Sequence, residues 1–338
     1  MKRRDIVKAG LLLAAPAIVP RPGRAATAMK LVLDFAYQGN HSVFALAIDN
    51  GHYAREGLTV AMDRGYGSGD TIVKVASGAY DIGFADVNAV VKFNSQNPDK
   101  RVIAVYQGFD RTLSAIITLA KSGLKQPSDL PGHTLGAPEA DASRLLFPVF
   151  AAKNGIDPAK IAWKSIAPNL RETILVQGQV DAISGFTTTS FFNLIAAGVK
   201  RDQIVMLPYA QYGLDLYGNA VIARQETIAA HPEAIAGFVR GTIAGTKDAI
   251  RDPASGMAAL QKRDPLFDTE LERQRFDMAL TETILTPAVR AGGFGTVDRA
   301  RLALTISANA QAYGITAPPL PEQVYTTRFL PPQAERMP

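Results

Sequence analysis

Four aromatic residues in this chain, Phe35, Tyr37, Tyr106 and Phe186, fall at or near the ends of apolar runs, where their rings could sandwich a planar ligand. The same positions also suit core packing. Asp86 closes a short apolar run, and a carboxylate at a strand end facing a partly dry cleft is costly unless something donates to it. An exocyclic amine or an ammonium group would do so; so would the backbone of a helix starting near Val87, which Asp86 could simply cap. Asn88 is the neighbouring polar candidate. Gly65-Tyr-Gly67-Ser68-Gly69-Asp70 lies between an expected strand and an expected helix, so backbone N–H groups and the helix dipole converge there. Gly67, Ser68 and Gly69 could cradle a polar ligand group, or Ser68 and Asp70 could merely cap the helix. Asp141 and Ser143 open another helix and Thr187 follows the Phe186 run; these offer carboxylate, hydroxyl and free N–H groups that ordinary capping explains equally well. Tyr212, Asp215 and Tyr217 sit where a closing hinge could bring Tyr212 and Tyr217 over a ligand.

These types point to recognition rather than to catalysis. The chain has no G-x-S-x-G elbow, and no nucleophile, base and orienting group assemble. It has no GK[ST] phosphate loop. The four histidines, His41, His52, His133 and His231, show no metal-binding spacing and there is no cysteine to join them, so neither a metal nor a cofactor is expected.

The elements that must position these residues repeat. Val75-Ala-Ser-Gly78-Ala-Tyr-Asp81-Ile-Gly-Phe-Ala-Asp86 and Val176-Gln-Gly178-Gln-Val-Asp181-Ala-Ile-Ser-Gly-Phe186 each read as a helix end, a glycine stop and a short strand. Strand and helix alternate from Lys30 to Gln96, which predicts a mostly parallel sheet with helices on both faces. The fold class expected is α/β: two lobes, two crossing strands and a cleft beyond the carboxyl ends of the strands. Residues 29–111 and 215–320 are expected to form the first lobe, 112–214 the second, and 321–338 an extended tail. Helices are expected over 43–56, 228–251, 269–285 and 297–313.

The formal net charge of +5 resides in the first 28 residues; the remainder carries thirty charges of each sign. That removes the basic surface nucleic-acid binding would need. Residues 1–28 read as a cleavable leader, with an apolar core from Ala9 to Val19 and small residues at Ala26-Thr-Ala28. Arg3-Arg4 fits a twin-arginine motif, and an ordinary secretory n-region is the alternative. No other run reaches the ~18 apolar residues of a membrane span, and no cysteine can carry a lipid anchor.

Leu33-Asp-Phe-Ala-Tyr37 with Asn40 and His41, Asn50-Gly-His-Tyr53-Ala-Arg-Glu56-Gly57-Leu58, Gly67-Ser-Gly69, Asp129-Leu130-Pro-Gly132 and the two glycine–aspartate repeats together resemble the periplasmic solute-binding proteins of ABC importers. The likeness is to the group that binds thiamine pyrimidines, nitrate, taurine and alkanesulfonates, over residues 30 to 260. It implies a type II periplasmic-binding-protein fold and a monomer that closes on a small molecule in the periplasm and delivers it to an inner-membrane permease. It also implies that the loop holding Phe35, Tyr37, Asn40 and His41 lines the cleft. Aromatic walls with Asp86 favour a planar nitrogen heterocycle; Arg111 or the 67–70 loop could serve a sulfonate or nitrate instead. The same resemblance extends to a pyrimidine-synthesising enzyme, whose cysteine-rich motif is missing here. A ligand-presenting partner of a membrane sensor is the remaining alternative.

Overall fold

The repeated glycine and aspartate build the same corner twice. The computed structural model describes residues 26–338. In it Gly78 and Gly178 adopt φ of 78° and 69°, the left-handed geometry that stops a helix without a Cβ clash. Asp81 then accepts the Lys30 N–H at 2.8 Å, and Asp181 accepts the Thr134 N–H at 2.8 Å. Each aspartate thus ties the start of its own strand to a neighbouring strand.

The described residues form ten strands: β1 Thr27–Val32, β2 Leu58–Asp63, β3 Ile82–Asp86, β4 Val102–Gln107, β5 Ser114–Leu119, β6 Thr134–Ala137, β7 Ala162–Ser165, β8 Ala182–Phe186, β9 Ile204–Pro208 and β10 Asn219–Arg224. They make two five-stranded sheets, ordered β2-β1-β3-β10-β4 and β7-β6-β8-β5-β9. Each sheet is mixed, with two parallel and two antiparallel pairings. The antiparallel share exceeds what strand–helix alternation implies because β10 and β5, each entered by a crossing segment, sit inside their sheets and run against both neighbours. The crossing segments pair with each other: Phe109 N–H donates to Asn219 O at 2.8 Å, and Thr112 N–H to Leu216 O at 2.9 Å. Stacked aromatic pairs anchor the two cores, Tyr53 on Phe238 at 4.7 Å in the first lobe and Phe150 on Tyr209 at 4.2 Å in the second.

Several element boundaries differ from expectation for local reasons. The helix expected over 43–56 is broken into Ser42–Asp49 and His52–Arg55 by Gly51 at φ 69°. His231, held out of helical geometry by Pro232, separates helices Gln225–Ala230 and Pro232–Arg251. The helix expected over 269–285 is Thr269–Ala279 followed by a π-helical turn, Leu280–Ile284.

Residues 215–320, expected as a first-lobe segment, serve both lobes. In helix Arg299–Tyr313, Leu302 and Ile306 join the first lobe's core, while Ala308, Ala312 and Tyr313 pack on the second's. Arg301 of this helix donates to Asp110 Oδ1 at 2.9 Å and to Asp215 O at 3.0 Å, so one guanidinium holds both crossings. The tail is docked: Val324 and Tyr325 lie along the outer edge of β4, with Ala104 N–H donating to Val324 O at 2.8 Å and Thr326 N–H to Ala104 O at 2.9 Å. The edge strand is thereby covered. The expected leader lies outside the described residues except for its last three, and Thr27 and Ala28 already pair with Leu58 and Thr59 in β1. No helix of the described residues is long and apolar enough to cross a membrane.

Candidate functional site

Between the lobes lies a narrow cleft. Asp34, Phe35, Gly67 and Ser68 line it from the first lobe, and Asp141, Ala142, Arg171, Phe186 and Thr189 from the second. These residues follow the carboxyl ends of β1, β2, β6 and β8 or the loop before the helix Arg171–Val176.

The first-lobe carboxylate that reaches the cleft is Asp34, not Asp86. Gln38 N–H donates to His41 Nδ1 at 3.1 Å, so His41 Nε2 carries the proton and donates to Asp34 Oδ1 at 2.9 Å. Asn219 Nδ2 donates to Asp34 Oδ2 at 2.8 Å. Both oxygens are oriented from behind, and each keeps a lone pair for a donor in the cleft. His41 is fully buried and therefore orients Asp34 from behind the cleft wall.

Asp86 is fully buried and caps the helix Val87–Gln96, its Oδ1 accepting from Asn88 N–H at 2.8 Å and from Asn88 Nδ2 at 2.9 Å. Burial pushes its pKa up to about 6 from 3.8, against the lowering effect of those hydrogen bonds. The folded state therefore holds this proton more tightly than the unfolded state, and the stability it contributes is lost as pH rises from about 4 to 6. We expect the stability difference between Asp86→Asn and the parent protein to move by roughly 2 kcal/mol in favour of the variant between pH 4 and pH 7. Urea unfolding at the two pH values reads this change, and a difference that does not vary with pH contradicts it.

In the second lobe Arg171 is buried between two carboxylates. Its Nη1 donates to Asp141 Oδ2 at 3.0 Å, and Nε and Nη2 donate to Glu172 Oε1 at 3.0 and 2.9 Å. Burial, which alone would lower the Arg171 pKa, is outweighed by Glu172 and Asp141, and the guanidinium stays charged. Burial raises the Asp141 pKa, with Glu172 adding to the effect, because two carboxylates share one cation. Asp141 also caps the helix Ala142–Lys153 by accepting the Arg144 N–H at 3.0 Å. The Arg171 guanidinium lies 5.6 Å from the Phe35 ring across the cleft.

The lobes touch directly. Gly69 N–H donates to Ala140 O at 3.1 Å, and Thr189 Oγ1 donates to Gln38 Oε1 at 3.0 Å. Gly67 has φ 122°, and a Cβ there would stand 2.7 Å from Ala140 O. We expect Gly67→Ala to weaken ligand binding at least tenfold by holding the lobes apart, with a separate loss of stability from the strained φ of about 1–3 kcal/mol. Calorimetric titration beside a melting curve separates the two; unchanged affinity contradicts this account.

The other expected site residues lie elsewhere. The Tyr37 hydroxyl donates to Met62 O at 2.9 Å and its ring packs on the first lobe's core. Tyr106 is buried in that core, where it and Asn40 line a separate internal cavity. Asn88 binds Asp86, Tyr217 O and Asn309, and so ties helices together behind the site. Ser143 is fully buried in its helix. Thr187 donates to Glu282 Oε2 at 3.0 Å. Tyr212 packs edge-on against Phe150 at the back of the second lobe, and the Tyr217 hydroxyl accepts the Asp298 N–H at 2.7 Å. Arg111 pairs with Asp215 at the hinge, at 3.1 Å. Phe35, Gly67, Ser68, Asp141 and Phe186 are the expected residues that the cleft brings together; Gly69 borders it through Ala140. Asp34 opens the loop already expected to line the cleft, and Thr189 ends the Thr187–Thr189 run that follows Phe186, though neither was weighed as a ligand contact by itself; Arg171 was not singled out in the sequence. The signal for Asp34 was an acid at the end of the first strand with a histidine seven residues on; for Arg171 there was none beyond the charge itself. Among the described residues no cluster of histidine and acidic side chains could hold a metal ion.

Two α/β lobes joined by paired crossings around a polar cleft define the periplasmic-binding-protein fold. A nitrate-binding protein of Synechocystis, NrtA, shares it at TM-score 0.70 and 12% identity, over 93% of this chain and 91% of that one. Residues 38–255 match the family described as NMT1/THI5 like, and the chain belongs to that family. It is 25% identical to the riboflavin-binding protein RibY of Chloroflexus aurantiacus, over 94% of this chain and 91% of that protein. It is 24% identical to a formylaminopyrimidine-binding protein of Halalkalibacterium halodurans, over 69% of each. A 4-amino-5-hydroxymethyl-2-methylpyrimidine phosphate synthase of Schizosaccharomyces pombe is 23% identical over 70% of each, so the family relatives include an enzyme beside the binding proteins.

Proposed function

We propose that the protein is the solute-binding component of an ABC importer, exported to the periplasm, where it captures a small planar nitrogen heterocycle bearing an exocyclic amine. It acts as a monomer and hands the solute to an inner-membrane permease. The observation that carries this reading is Asp34, a carboxylate facing the cleft with both oxygens oriented by His41 and Asn219. An amine donating to it forms a charge-assisted hydrogen bond in a site that closure dries. Phe35 and Phe186 supply apolar wall from opposite lobes. Two relatives named for riboflavin and formylaminopyrimidine support a nitrogen heterocycle.

A sulfonate or nitrate is the second reading, favoured by the presence of Arg171 in the cleft. Its weakness is that Nε, Nη1 and Nη2 already donate to Asp141 and Glu172, so the guanidinium offers little uncompensated charge. An enzymatic role has less support still: His41, the histidine nearest the cleft wall, has both ring nitrogens engaged and no access to solvent. Native mass spectrometry of the purified protein, followed by thermal shift against aminopyrimidines, riboflavin, sulfonates, taurine and nitrate, tests the reading. Stabilisation by aminopyrimidines alone is the expected outcome; stabilisation by sulfonate or nitrate alone overturns it.

A further inference from the structure

Helix Thr269–Ala279 carries a buried ion pair that takes no part in lining the cleft. Arg275 Nε donates to Glu272 Oε2 at 2.8 Å, and the same oxygen accepts the Gly39 N–H at 2.8 Å. Arg275 Nη1 donates to the carbonyl oxygens of Thr188 and Thr189, at 2.6 and 2.9 Å, and Nη2 donates to Asn193 Oδ1 at 3.0 Å. Glu272 is therefore fastened to the first lobe beside Gln38, while Arg275 grips the opening turns of the second-lobe helix Thr187–Ala196. Thr189 closes the circuit by donating to Gln38 Oε1.

We propose that Arg275 is a positioning residue for ligand retention: it holds Thr189 and the start of its helix in the closed position and so sets how long the cleft stays shut. All of its second-lobe acceptors are available only while the lobes are together. Separation of the lobes releases the guanidinium from the Thr188 and Thr189 carbonyls and breaks the Thr189–Gln38 bond, and water then solvates a charge that needs no other buried partner. Closed, the same charge is paired with Glu272 and satisfied by carbonyls, so the latch is strong yet reversible. The proposal rests on the reading of the cleft as the ligand site.

The test uses Arg275→Met, and Glu272→Gln with Arg275→Met, the latter leaving no unpaired buried charge should the single variant fold poorly. Small-angle scattering without ligand is expected to show a larger radius of gyration for both variants than for the parent protein. Stopped-flow release of 4-amino-5-hydroxymethyl-2-methylpyrimidine is expected to quicken at least tenfold, with the association rate within about threefold. Arg275→Lys, which keeps one charged donor, should recover part of the loss. Unchanged scattering together with an unchanged release rate overturns the proposal. Should the pyrimidine not bind the parent protein, the reading of the cleft fails while scattering still reads the latch: expansion supports it and no expansion overturns it.

Discussion

Asp34→Asn is expected to weaken binding of an aminopyrimidine by about 10- to 100-fold while leaving the fold nearly as stable as before. A hydrogen bond to a charged acceptor contributes about 1.5–3 kcal/mol, and the asparagine amide retains only a neutral acceptor. The surroundings can adapt. The carbonyl oxygen of the introduced amide would still accept from His41 Nε2, and Asn219, whose Oδ1 has no partner among the described residues, can turn its own amide to accept from the introduced NH₂ group. The remaining N–H of that group would then face the cleft as a donor, so a sulfonate or nitrate should gain affinity where the amine loses it. Isothermal titration with both ligand classes reads the sign directly. Equal losses for both would mean that Asp34 matters only to the architecture.

Arg171→Met is expected to cost about 3–5 kcal/mol of stability at pH 7.5, the largest effect among the cleft residues, because it strands Asp141 and Glu172 in a buried site without their shared cation. The loss should shrink on acidification. With the guanidinium gone, the Asp141 carboxyl, already raised by burial, moves further up and takes its proton at a higher pH in the folded variant than in the unfolded chain. The variant's stability therefore rises relative to the parent as pH falls from 7.5 towards 5. Urea unfolding at both ends of that range checks it. A loss below 1 kcal/mol, or one independent of pH, contradicts the view that Arg171 is held chiefly as a counter-ion.

The two-lobed architecture was legible because it is written locally: left-handed glycines at 78 and 178, aspartates that bond to a neighbouring strand, and short apolar runs leave few alternatives. The first crossing was legible as the polar break Gly108-Phe-Asp-Arg111 between two apolar runs, and the second as the returning strand Leu216 to Ala223. The sharing of helix Arg299–Tyr313 between lobes was not, because both its faces are apolar enough to pack and only tertiary context says against what. The site was partly legible. Phe35, Phe186, Ser68 and Asp141 follow strand ends, and strand ends face the cleft. Asp86 misled because a capping carboxylate and a ligand-binding carboxylate occupy the same place in a sequence, at the junction of strand and helix. Tyr106 misled because one residue's shift in register turns a strand's ring from the cleft to the core, and Tyr37 because its loop directs the hydroxyl to Met62 O instead. Arg171 was hidden because its partners, Asp141 thirty residues earlier and Glu172 beside it, become a cluster only when the lobe is folded.

The central claim is that the cleft recognises an amine through Asp34. A crystal structure of the protein with 4-amino-5-hydroxymethyl-2-methylpyrimidine tests it most directly. The account predicts the ring between the lobes beside Phe35 and Phe186, with its exocyclic nitrogen within hydrogen-bonding distance, about 2.7–3.2 Å, of an Asp34 oxygen. A pyrimidine bound with that nitrogen directed away from Asp34, or a cleft that takes up an anion on Arg171 in preference to the pyrimidine, contradicts it.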